Sequence, residues 1–436
     1  MRRLLRMDQP VPAHTDAEIE AERDRNYRWN FTVNLADVAA FWFGLSFISS
    51  ATIVPLYISK LTDSTIAIGL AAVITQGAWY LPQLFTANFV EGLARKKPMV
   101  VNLGFFLERL PMWFIVLSPI IAVWDPALAL FVFLTAIAWH SFGAGIVATS
   151  WQDLIARCFP VERRGRFMGT SFFVGALTGA AAAGFSARLL TDFPFPTNFI
   201  YSFTIAALAI TISWGFLALT REPIGPVTKR KQSNRQFWSD LPHILRRDVN
   251  YRRFLVARLL LALGGMGLGF VTVAAVKRWS IADGTVGTYT LTFLLGQMAG
   301  NLFTGFLADK RGHKLSLEIG ALSSFLAFAI AWLAPAPEFY LVVFFLLGTM
   351  TGAVLVSGIL VVMEFSRPER RPTYIGMTNT SVGVVSMIAP LIGAGLAAAG
   401  YNWLFAVSAF LSLLSAVALH WWVQEPRFKE LVDSGQ

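Results

Sequence analysis

Long apolar stretches alternate with short polar segments along almost the whole chain of 436 residues. A helix needs about 20 mostly apolar residues to cross a bilayer. Windows of that kind occur at residues 31–58, 66–88, 99–121, 127–154, 167–189, 198–220, 254–276, 285–308, 315–335, 339–363, 374–397 and 401–422. Several contain glycine or proline, which helices in a bilayer tolerate. The pattern therefore predicts an all-α polytopic membrane protein with twelve transmembrane helices.

Composition supports the membrane class. Hydrophobic residues make up 55% of the chain and charged residues only 14%, whereas a soluble protein carries about a quarter charged residues. The single cysteine, Cys158, has no disulfide partner and no metal-site spacing. Residues 1–29 contain no apolar run long enough for a signal peptide, so we expect a short polar tail there. No nucleophile elbow, zinc-protease motif or phosphate-binding loop occurs, and we expect neither an enzyme nor a cofactor.

The positive charges fall on one side of the predicted helices. Of the 36 Lys and Arg residues, 30 lie in the two tails and in the segments that follow every second window. Only Lys60, Arg188, Lys277 and Arg278 lie in the opposite loops. Cytoplasmic loops are rich in Lys and Arg, so both termini are predicted to be cytoplasmic. The net charge of +10 is spread over seven segments, which excludes the contiguous basic face of a nucleic-acid-binding protein.

Two sequence markers occur twice, at matching places in the two halves. ERRGRFMG at 162–169 returns as ERRPTYIG at 369–376, each time between the fourth and fifth window of a half. DRNYRW at 24–29 returns as DVNYRR at 248–253, ahead of the first window of each half. Chance similarity of basic loops is the alternative, but two markers in the same order favour a duplication of six helices. Because six is even, the halves are predicted to run in the same direction as parallel repeats.

The duplication predicts the domain boundaries. They are a cytoplasmic tail at 1–29, a first six-helix bundle at 30–221, a cytoplasmic linker at 222–251, a second six-helix bundle at 252–424 and a cytoplasmic tail at 425–436.

One loop carries a family resemblance. Residues 305–317, GFLADKRGHKLSL, resemble the loop G-x-L-A-D-R/K-x-G-R/K-R/K-x-x-L of the major facilitator superfamily. The matching positions include Gly305, Asp309, Lys310, Gly312 and Lys314. His313 stands where the family has a basic residue, and it would replace that residue only when charged. The corresponding loop at 88–99 keeps three basic residues but has Gly92 in place of the acid.

The resemblance implies the fold of that superfamily, in which two bundles rock about a central cavity. It also implies a charged gate on the cytoplasmic face, where Asp309 would meet the N-terminus of a helix. We expect the arginines of the repeated turns, and acids at the ends of the fourth and tenth windows, to join this gate. These residues are Arg163, Arg164, Arg370, Arg371, Asp153 and Glu364. Asp153 lies four residues before Arg157, so an ordinary interfacial ion pair is the alternative.

Ionisable residues inside a span are candidates for function because each costs roughly 2.5–3.5 kcal/mol at mid-helix. Asp37 in the first window, with Asn34 one turn away, is the first candidate for binding a substrate or a proton. Contact with headgroups or with a neighbouring helix is the alternative for Asp37. His140 in the fourth window is a candidate for binding substrate or relaying protons, and a hydrogen-bonded structural role is its alternative.

Four further polar residues complete the candidate set. Glu108 and Arg109 lie deep in the third window, where pairing across helices is the first interpretation and substrate contact the second. Adjacent helical side chains point about 100° apart, so these two need not pair with each other. Gln297 and Asn301 in the eighth window would add polarity to the cavity or bond neighbouring helices.

These observations predict a secondary active transporter that moves a small organic solute by alternating access across a bacterial plasma or inner membrane. Because no ATP-binding motif occurs, accumulation must draw on a gradient, and proton coupling through Asp37 is the hypothesis. Export is the favoured direction. A proton- or cation-coupled importer of a sugar or similar metabolite, and a non-transporting membrane sensor with this fold, are the alternatives. We expect a monomer in the lipid bilayer that binds no nucleic acid.

Overall fold

The computed structural model describes residues 3–9, 15–91, 93–224, 245–365 and 371–426. Every regular element in these residues is a helix. The α-helices are α1 (Asp16–Ser46), α2 (Ile53–Leu61), α3 (Thr65–Ala72), α4 (Leu81–Glu91), α5 (Leu110–Ile121), α6 (Pro126–Cys158), α7 (Val161–Asp192), α8 (Thr197–Ala218), α9 (Val249–Gly264), α10 (Leu268–Trp279), α11 (Asp283–Arg311), α12 (His313–Leu333), α13 (Phe339–Glu364), α14 (Arg371–Ala399) and α15 (Tyr401–Trp422). Short π-helical stretches lie at Val73–Gly77, Met99–Leu103 and Phe105–Arg109, and a 3-10 turn at Gly265–Gly267 joins α9 to α10.

Nine helical segments of the described chain are long and apolar enough to cross a membrane. They are Met99–Ile121, Pro126–Cys158, Phe167–Asp192, Thr197–Ala218, Val249–Trp279, His313–Leu333, Phe339–Val362, Met377–Ala399 and Tyr401–Trp422. Each coincides with a predicted window, so the prediction of an all-helical multi-pass membrane protein is confirmed.

The other three windows are not among these nine segments. Window 31–58 is divided between α1 and α2, and window 66–88 between α3, a π-helical stretch and α4. Window 285–308 lies within the continuous helix α11.

α1 begins well before its window, because Thr15 caps it: the Thr15 hydroxyl accepts the N–H of Glu18, and the Glu18 carboxylate accepts the N–H of Thr15. Residues 16–29 are therefore helical, although the sequence marked them as tail.

The described chain divides into two compact units, each with its own helix packing. The first unit comprises Met1–Ser49, Lys60–Thr62 and Ile74–Lys231. The second comprises Ser50–Ser59, Asp63–Val73 and Gln232–Gln436. The predicted linker at 222–251 contains the boundary, but residues 225–244 lie outside the described part.

In the first unit, α1 packs against α7 and α8, and α6 packs against α4 and α5. Phe159 and Phe167 stack with their ring centroids 4.1 Å apart, and Phe31 of α1 meets Phe167 edge-on at 5.6 Å. Cys158 is buried in the same cluster. These rings hold the start of α7, which carries the first copy of the repeated turn, against α1.

In the second unit, α11 and α13 cross at a pair of closely matched sequences, FLLGQMAG at 293–300 and FLLGTMTG at 345–352. A Cβ atom on Gly296 would lie 2.0 Å from the carbonyl oxygen of Phe345, and a Cβ on Gly348 would lie 2.0 Å from that of Phe293. The contact is reciprocal, so the two helices meet backbone to backbone about a local two-fold axis. Small residues permit such close approach between membrane helices.

The segments Ser50–Ser59 and Asp63–Val73 pack within the second unit. Thr52 donates its hydroxyl to that of Thr290 at 2.6 Å, since Thr290 uses its own hydrogen for the carbonyl of Val286. Lys277 Nζ lies 3.0 Å from the carboxylate of Asp63. α3 packs on α14, where a Cβ on Gly69 would meet the backbone at 2.9 Å. The ends of two predicted first-half spans therefore belong to the second compact unit.

The repeated markers make equivalent contacts in the two units, with a shift of one helical turn. Tyr251 packs on Tyr374 at 4.5 Å, and the amide of Asn250 bridges the backbone of Gln424 in both directions. In the first unit, Phe31 packs on Phe167 and the amide of Asn30 bridges the backbone of Arg221 in both directions. The pair Asn30–Phe31 therefore corresponds to Asn250–Tyr251, four residues after the match suggested by the letters alone.

Candidate functional site

A buried charged cluster lies inside the first unit and begins at Asp37 on α1. Asp37 is 5% exposed, and its Oδ1 accepts a hydrogen bond of 2.6 Å from the hydroxyl of Ser213 on α8. Ser213 is fully buried. Asp37 therefore faces a neighbouring helix inside the bundle.

The π-helical stretch Phe105–Arg109 supplies the opposite wall of this cluster. Gly143 of α6 permits the approach, because a Cβ there would lie 1.9 Å from the carbonyl oxygen of Leu107. Glu108 and Arg109, both buried, form an ion pair with each other. The sequence interpretation favoured pairing across helices, because adjacent helical side chains point about 100° apart and need not pair with each other. An unpaired buried charge would cost several kcal/mol, so the two side chains bend together.

His140 of α6 is the third ionisable side chain besides Asp37 in this cluster, after Glu108 and Arg109. Its Nδ1 lies 2.7 Å from the carbonyl oxygen of Glu108. A carbonyl only accepts, so Nδ1 carries the hydrogen and Nε2 is left as an acceptor in the neutral ring. This contact matches the hydrogen-bonded structural alternative for His140, and it leaves one ring nitrogen available for chemistry.

Arg109 is the only cation of the group of Asp37, Glu108, Arg109, His140 and Ser213, which we call the Asp37 cluster. Its guanidinium lies over the ring of Phe41, one turn along α1 from Asp37, at 5.7 Å. It acts electrostatically on both Asp37 and His140. Its Nε is buried and has no hydrogen-bond partner among the described residues. With both acids ionised, the cluster carries one excess negative charge.

Asn34 lies outside this cluster. Its Nδ2 donates to the carbonyl oxygen of Asn30 at 2.8 Å, and its Oδ1 accepts from the hydroxyl of Thr220 at 3.3 Å. Both polar atoms of Asn34 are thus used: Nδ2 bonds the backbone of α1 itself, and Oδ1 joins α1 to Thr220 just after α8.

Gln297 and Asn301 lie in the second unit, at the crossing of α11 and α13. A Cβ on Gly352 of α13 would lie 2.5 Å from the carbonyl oxygen of Gln297 and 3.1 Å from Oδ1 of Asn301. Oδ1 of Asn301 is buried without a hydrogen-bond partner in the described part of the chain. Gln297 and Asn301 therefore belong to the second compact unit, whereas the Asp37 cluster belongs to the first.

The acid Asp153 belongs to a second charged group, formed by Lys96, Asp153, Arg157 and Glu222, which we call the Lys96 cluster. Lys96 is 1% exposed, and its Nζ lies 3.0 Å from Asp153 and also donates to the carbonyl oxygen of Val90. Arg157 contacts Asp153 at 3.7 Å and Glu222 at 3.5 Å. Glu222 accepts the backbone N–H of Lys96 at 2.7 Å. Three separated segments of the chain thus meet at one buried lysine.

Burial shifts the ionisation of two groups here. Burial raises the pKa of Glu222, although the N–H groups of Lys96 and Lys97 and the charge of Arg157 oppose the shift. Burial and the nearby charge of Arg6 lower the pKa of Lys97, while Glu222 opposes that shift. Glu222 is thus a strongly desolvated carboxylate held by backbone donors.

The second unit repeats this arrangement with other residues. His313, 8% exposed, lies 3.9 Å from Glu364 and 3.2 Å from the hydroxyl of Ser357. Lys314 contacts Glu318 at 3.3 Å, and its backbone N–H is accepted by Glu425 at 3.1 Å. Glu425 therefore takes the place that Glu222 has in the first unit.

Gly312, which lies just before α12, has a positive φ angle. Gly312 has φ of +90° between α11 and α12, and a Cβ there would lie 2.3 Å from the carboxylate of Glu425. Only glycine combines that backbone angle with that contact. The family-like glycine thus permits the approach of Glu425 to the N-terminus of α12.

The other predicted gate residues are described unevenly. Arg163 is exposed, lies 4.0 Å from Asp24 and stacks over Tyr27 at 5.0 Å. Gly305 lies within α11. Arg370 and the side chains of Arg164, Asp309, Lys310 and Arg371 lie outside the described part of the structure.

Sequence reasoning missed several of the residues that build these groups. They are Ser213, Lys96, Glu222, Glu318 and Glu425. A signal existed for two of them, because the pair Glu-Pro follows the last span of each half, at 222–223 and at 425–426. Ser213 offered no comparable signal, since a serine in an apolar helix is common and only its neighbour Asp37 makes it relevant.

Comparisons with known proteins agree with this architecture. The family model described as Major Facilitator Superfamily matches residues 254–436. The chain is 30% identical over 101 residues to the multidrug resistance protein MdtL of Vibrio parahaemolyticus, covering 23% of this chain and 26% of that protein. It is 30% identical over 185 residues to the 4-hydroxybenzoate transporter PcaK of Pseudomonas putida, covering 40% of each. The matched part thus spans well under half the length of these relatives.

Similarity to solved structures extends over more of the chain. A bacterial homologue of the iron transporter ferroportin in an inward-facing state superposes with a TM-score of 0.66 at 14% identity, covering 94% of this chain and 99% of that one. At such identity the likeness is one of fold. The match to the Major Facilitator Superfamily model thus covers residues 254–436, and the solved structure shares its fold with nearly the whole chain.

Proposed function

We propose that the protein is a secondary active transporter that moves a small organic solute by alternating access. It has twelve transmembrane helices in two six-helix bundles, with both termini in the cytoplasm. The match of residues 254–436 to the superfamily model supports this proposal, and so does the distribution of Lys and Arg along the chain. Because no ATP-binding motif occurs in the sequence, the energy for accumulation comes from an ion gradient.

The observation that carries the proposal is the composition of the Asp37 cluster. Two buried carboxylates lie near one guanidinium: Arg109 pairs with Glu108 and also acts electrostatically on Asp37. An uncompensated charge inside a membrane protein is costly and marks ion pathways and proton relays. A proton on Asp37, or a cationic substrate beside it, removes the excess charge. Proton coupling through Asp37 follows from this balance.

Export is the direction we propose. The name of one relative, an MFS thioclapurine efflux transporter of Claviceps purpurea, supports this direction. The alternative is proton-coupled import of a metabolite, and the name of another relative, a 4-hydroxybenzoate transporter, supports a metabolite as the substrate. The substrates that these names give differ in chemistry, so a cationic and an anionic probe are both needed.

The Lys96 cluster and the contacts of His313 and Glu364 are proposed to act as the gate. In this proposal they stabilise one conformation, and Asp309 and Lys310 take part as the family resemblance implies. The burial of Lys96 and Glu222 supports the proposal, because such groups separate only when both regain a partner or water.

The test is transport by the purified full-length protein in vesicles with an imposed pH gradient. The probes are tetraphenylphosphonium, a lipophilic cation, and 4-hydroxybenzoate, an aromatic anion. We expect one probe to move against its gradient and to release or take up protons that an internal pH dye records. Asp37→Asn should abolish accumulation while leaving exchange at equal pH.

The matched control is Asp192→Asn, which removes an exposed carboxylate from the end of α7. If Asp37→Asn accumulates the probe as well as the control variant does, coupling through Asp37 is wrong. If neither probe moves, a broader panel of metabolites follows. Failure of that panel would favour the non-transporting sensor.

A further inference from the structure

A small groove lies where α9 begins and α15 ends, within the second unit. Its lining consists of Arg252, Arg253, Val256 and Trp422, and its volume is about 350 Å³. We call it the Arg252 groove. The volume is at the small end of ligand pockets, so it suits a headgroup rather than a large solute.

The groove is positively charged. Arg252 and Arg253 are exposed. Arg246 and Arg247, six residues earlier in the sequence, are exposed as well. A guanidinium has five N–H donors. Among the described residues, Arg252 donates from Nη1 to the carbonyl oxygen of Leu245, and Arg253 from Nη1 to that of Trp422, both at 3.3 Å. Within the described part of the chain, most of their donors therefore have no protein partner and can contact a ligand.

The nearest acids in sequence are engaged elsewhere. Asp248 caps α9 by accepting the N–H of Tyr251 at 3.0 Å, and it also accepts the hydroxyl of Tyr374 at 3.2 Å. Glu425 accepts the backbone N–H of Lys314. The charge of the groove is thus available to an anion.

The remaining lining is apolar and lies at the edge of a membrane span. Val256 is 43% exposed and Trp422 is 53% exposed, and Trp421 beside it is 72% exposed. Val256 belongs to the candidate span Val249–Trp279, and Trp422 ends the span Tyr401–Trp422. Tryptophans gather at the boundary between headgroups and acyl chains. A free phosphate ion would leave these apolar side chains in water, whereas a phospholipid covers them.

We propose that the Arg252 groove binds an anionic phospholipid. Its phosphate contacts Arg252 and Arg253, and the first part of an acyl chain lies along Val256 and Trp422. Basic residues next to a membrane helix and pockets between helices recognise such headgroups. This proposal goes beyond transport and does not depend on it.

The test is native mass spectrometry of the full-length protein in detergent, titrated with phosphatidylglycerol, with phosphatidylcholine of the same acyl chains, and with inorganic phosphate. We expect the first phosphatidylglycerol to bind about tenfold more tightly than phosphatidylcholine. Arg252→Gln with Arg253→Gln should weaken phosphatidylglycerol about 30-fold, given the contribution of each basic residue near an anionic headgroup. Each single variant should lose about fivefold, which keeps the test available if the double variant fails to fold.

The matched control is Arg25→Gln with Arg28→Gln, which removes two exposed arginines from α1. This control should keep the affinity of the unaltered protein. Equal binding of the two lipids, or an equal loss in the control, would overturn the proposal. Binding of inorganic phosphate that fully displaces phosphatidylglycerol would reassign the groove to a simple anion.

Discussion

The carboxylate of Glu222 accepts the backbone N–H of Lys96 at 2.7 Å, across 126 residues of chain. Lys97 donates its N–H to the same carboxylate at 3.0 Å, and Arg157 lies 3.5 Å away. Glu222 therefore joins the segment after α8 to the segment that precedes the candidate span Met99–Ile121. A carboxylate with two backbone donors and little water is sensitive both to truncation and to pH.

Stability should fall as pH rises through the titration of Glu222. Its pKa is raised in the folded protein, so the folded state binds this proton more tightly than the unfolded state does. The stabilisation is present below the unfolded pKa of about 4.3 and is lost as pH rises through the folded value. Glu222→Gln removes this dependence. The melting temperature of Glu222→Gln relative to the unaltered protein should rise as the pH increases above the unfolded pKa of about 4.3.

Asp192→Asn provides the comparison for the Glu222 experiment, because Asp192 is an exposed carboxylate of the same unit. Its melting temperature relative to the unaltered protein should not follow that trend. A parallel pH dependence in both variants would assign the effect to net charge and contradict the role of Glu222.

Alanine at Gly296 or Gly348 should be strongly destabilising. The added Cβ would lie 2.0 Å from a backbone carbonyl oxygen, so α11 and α13 must move apart. Overpacking of this kind costs about 1–3 kcal/mol or more. Thermal unfolding in detergent measures the effect. Gly395→Ala in α14 is the control, since no atom lies within 4 Å of its Cβ position. A neutral Gly296→Ala would contradict the close crossing.

Leu5→Asp should release the N-terminal segment from the first unit. Leu5 is 2% exposed and packs with Val90, Leu93 and Met99. Burying a leucine contributes about 1.5–3 kcal/mol, and a buried carboxylate reverses that gain. Hydrogen exchange of residues 3–9 should become at least tenfold faster. Met7→Asp is the control in the same segment because Met7 is 49% exposed. Equal exchange in both variants would show that Leu5 does not anchor the segment.

Replacing Arg109 alone should destabilise the protein more than replacing both Arg109 and its partner Glu108. Arg109→Met leaves Glu108 and Asp37 buried without a cation, and breaking a buried pair costs about 3–5 kcal/mol. Adding Glu108→Gln should recover part of that loss, because the second charge is then gone. Melting temperatures of the two single variants and the double variant give the coupling. Additive losses would mean that Glu108 and Arg109 act independently.

The class of the protein could be predicted from the sequence because hydrophobic length is a local property. Nine of the twelve apolar windows coincide with candidate spans, since about 20 apolar residues satisfy a bilayer wherever they occur. The breaks after Ser46 and Ala72 could not be predicted in this way. They depend on contacts such as Thr52 with Thr290, which join residues far apart in sequence.

The candidate site shows the same division. Asp37, Glu108, Arg109 and His140 were visible as polar residues in apolar windows, because their cost in a membrane is independent of their neighbours. Their grouping depends on the close approach at Gly143 and on the π-helical stretch Phe105–Arg109. Asn34 carries the same kind of signal, yet it bonds Asn30 and Thr220 instead. The sequence therefore shows that a polar residue in a span is costly to bury, but it does not show which residue it bonds.

The sequence by itself determined that this chain is a multi-pass helical membrane protein, that its halves carry repeated markers, and that a few buried acids need compensation. Those conclusions rest on composition, period and local charge. Only the tertiary structure decided that Asn30 corresponds to Asn250, that Lys96 and Glu222 are buried together, and that Asp37 bonds Ser213. Partners are chosen by the way helices pack, and one helical turn of register changes every neighbour of a side chain.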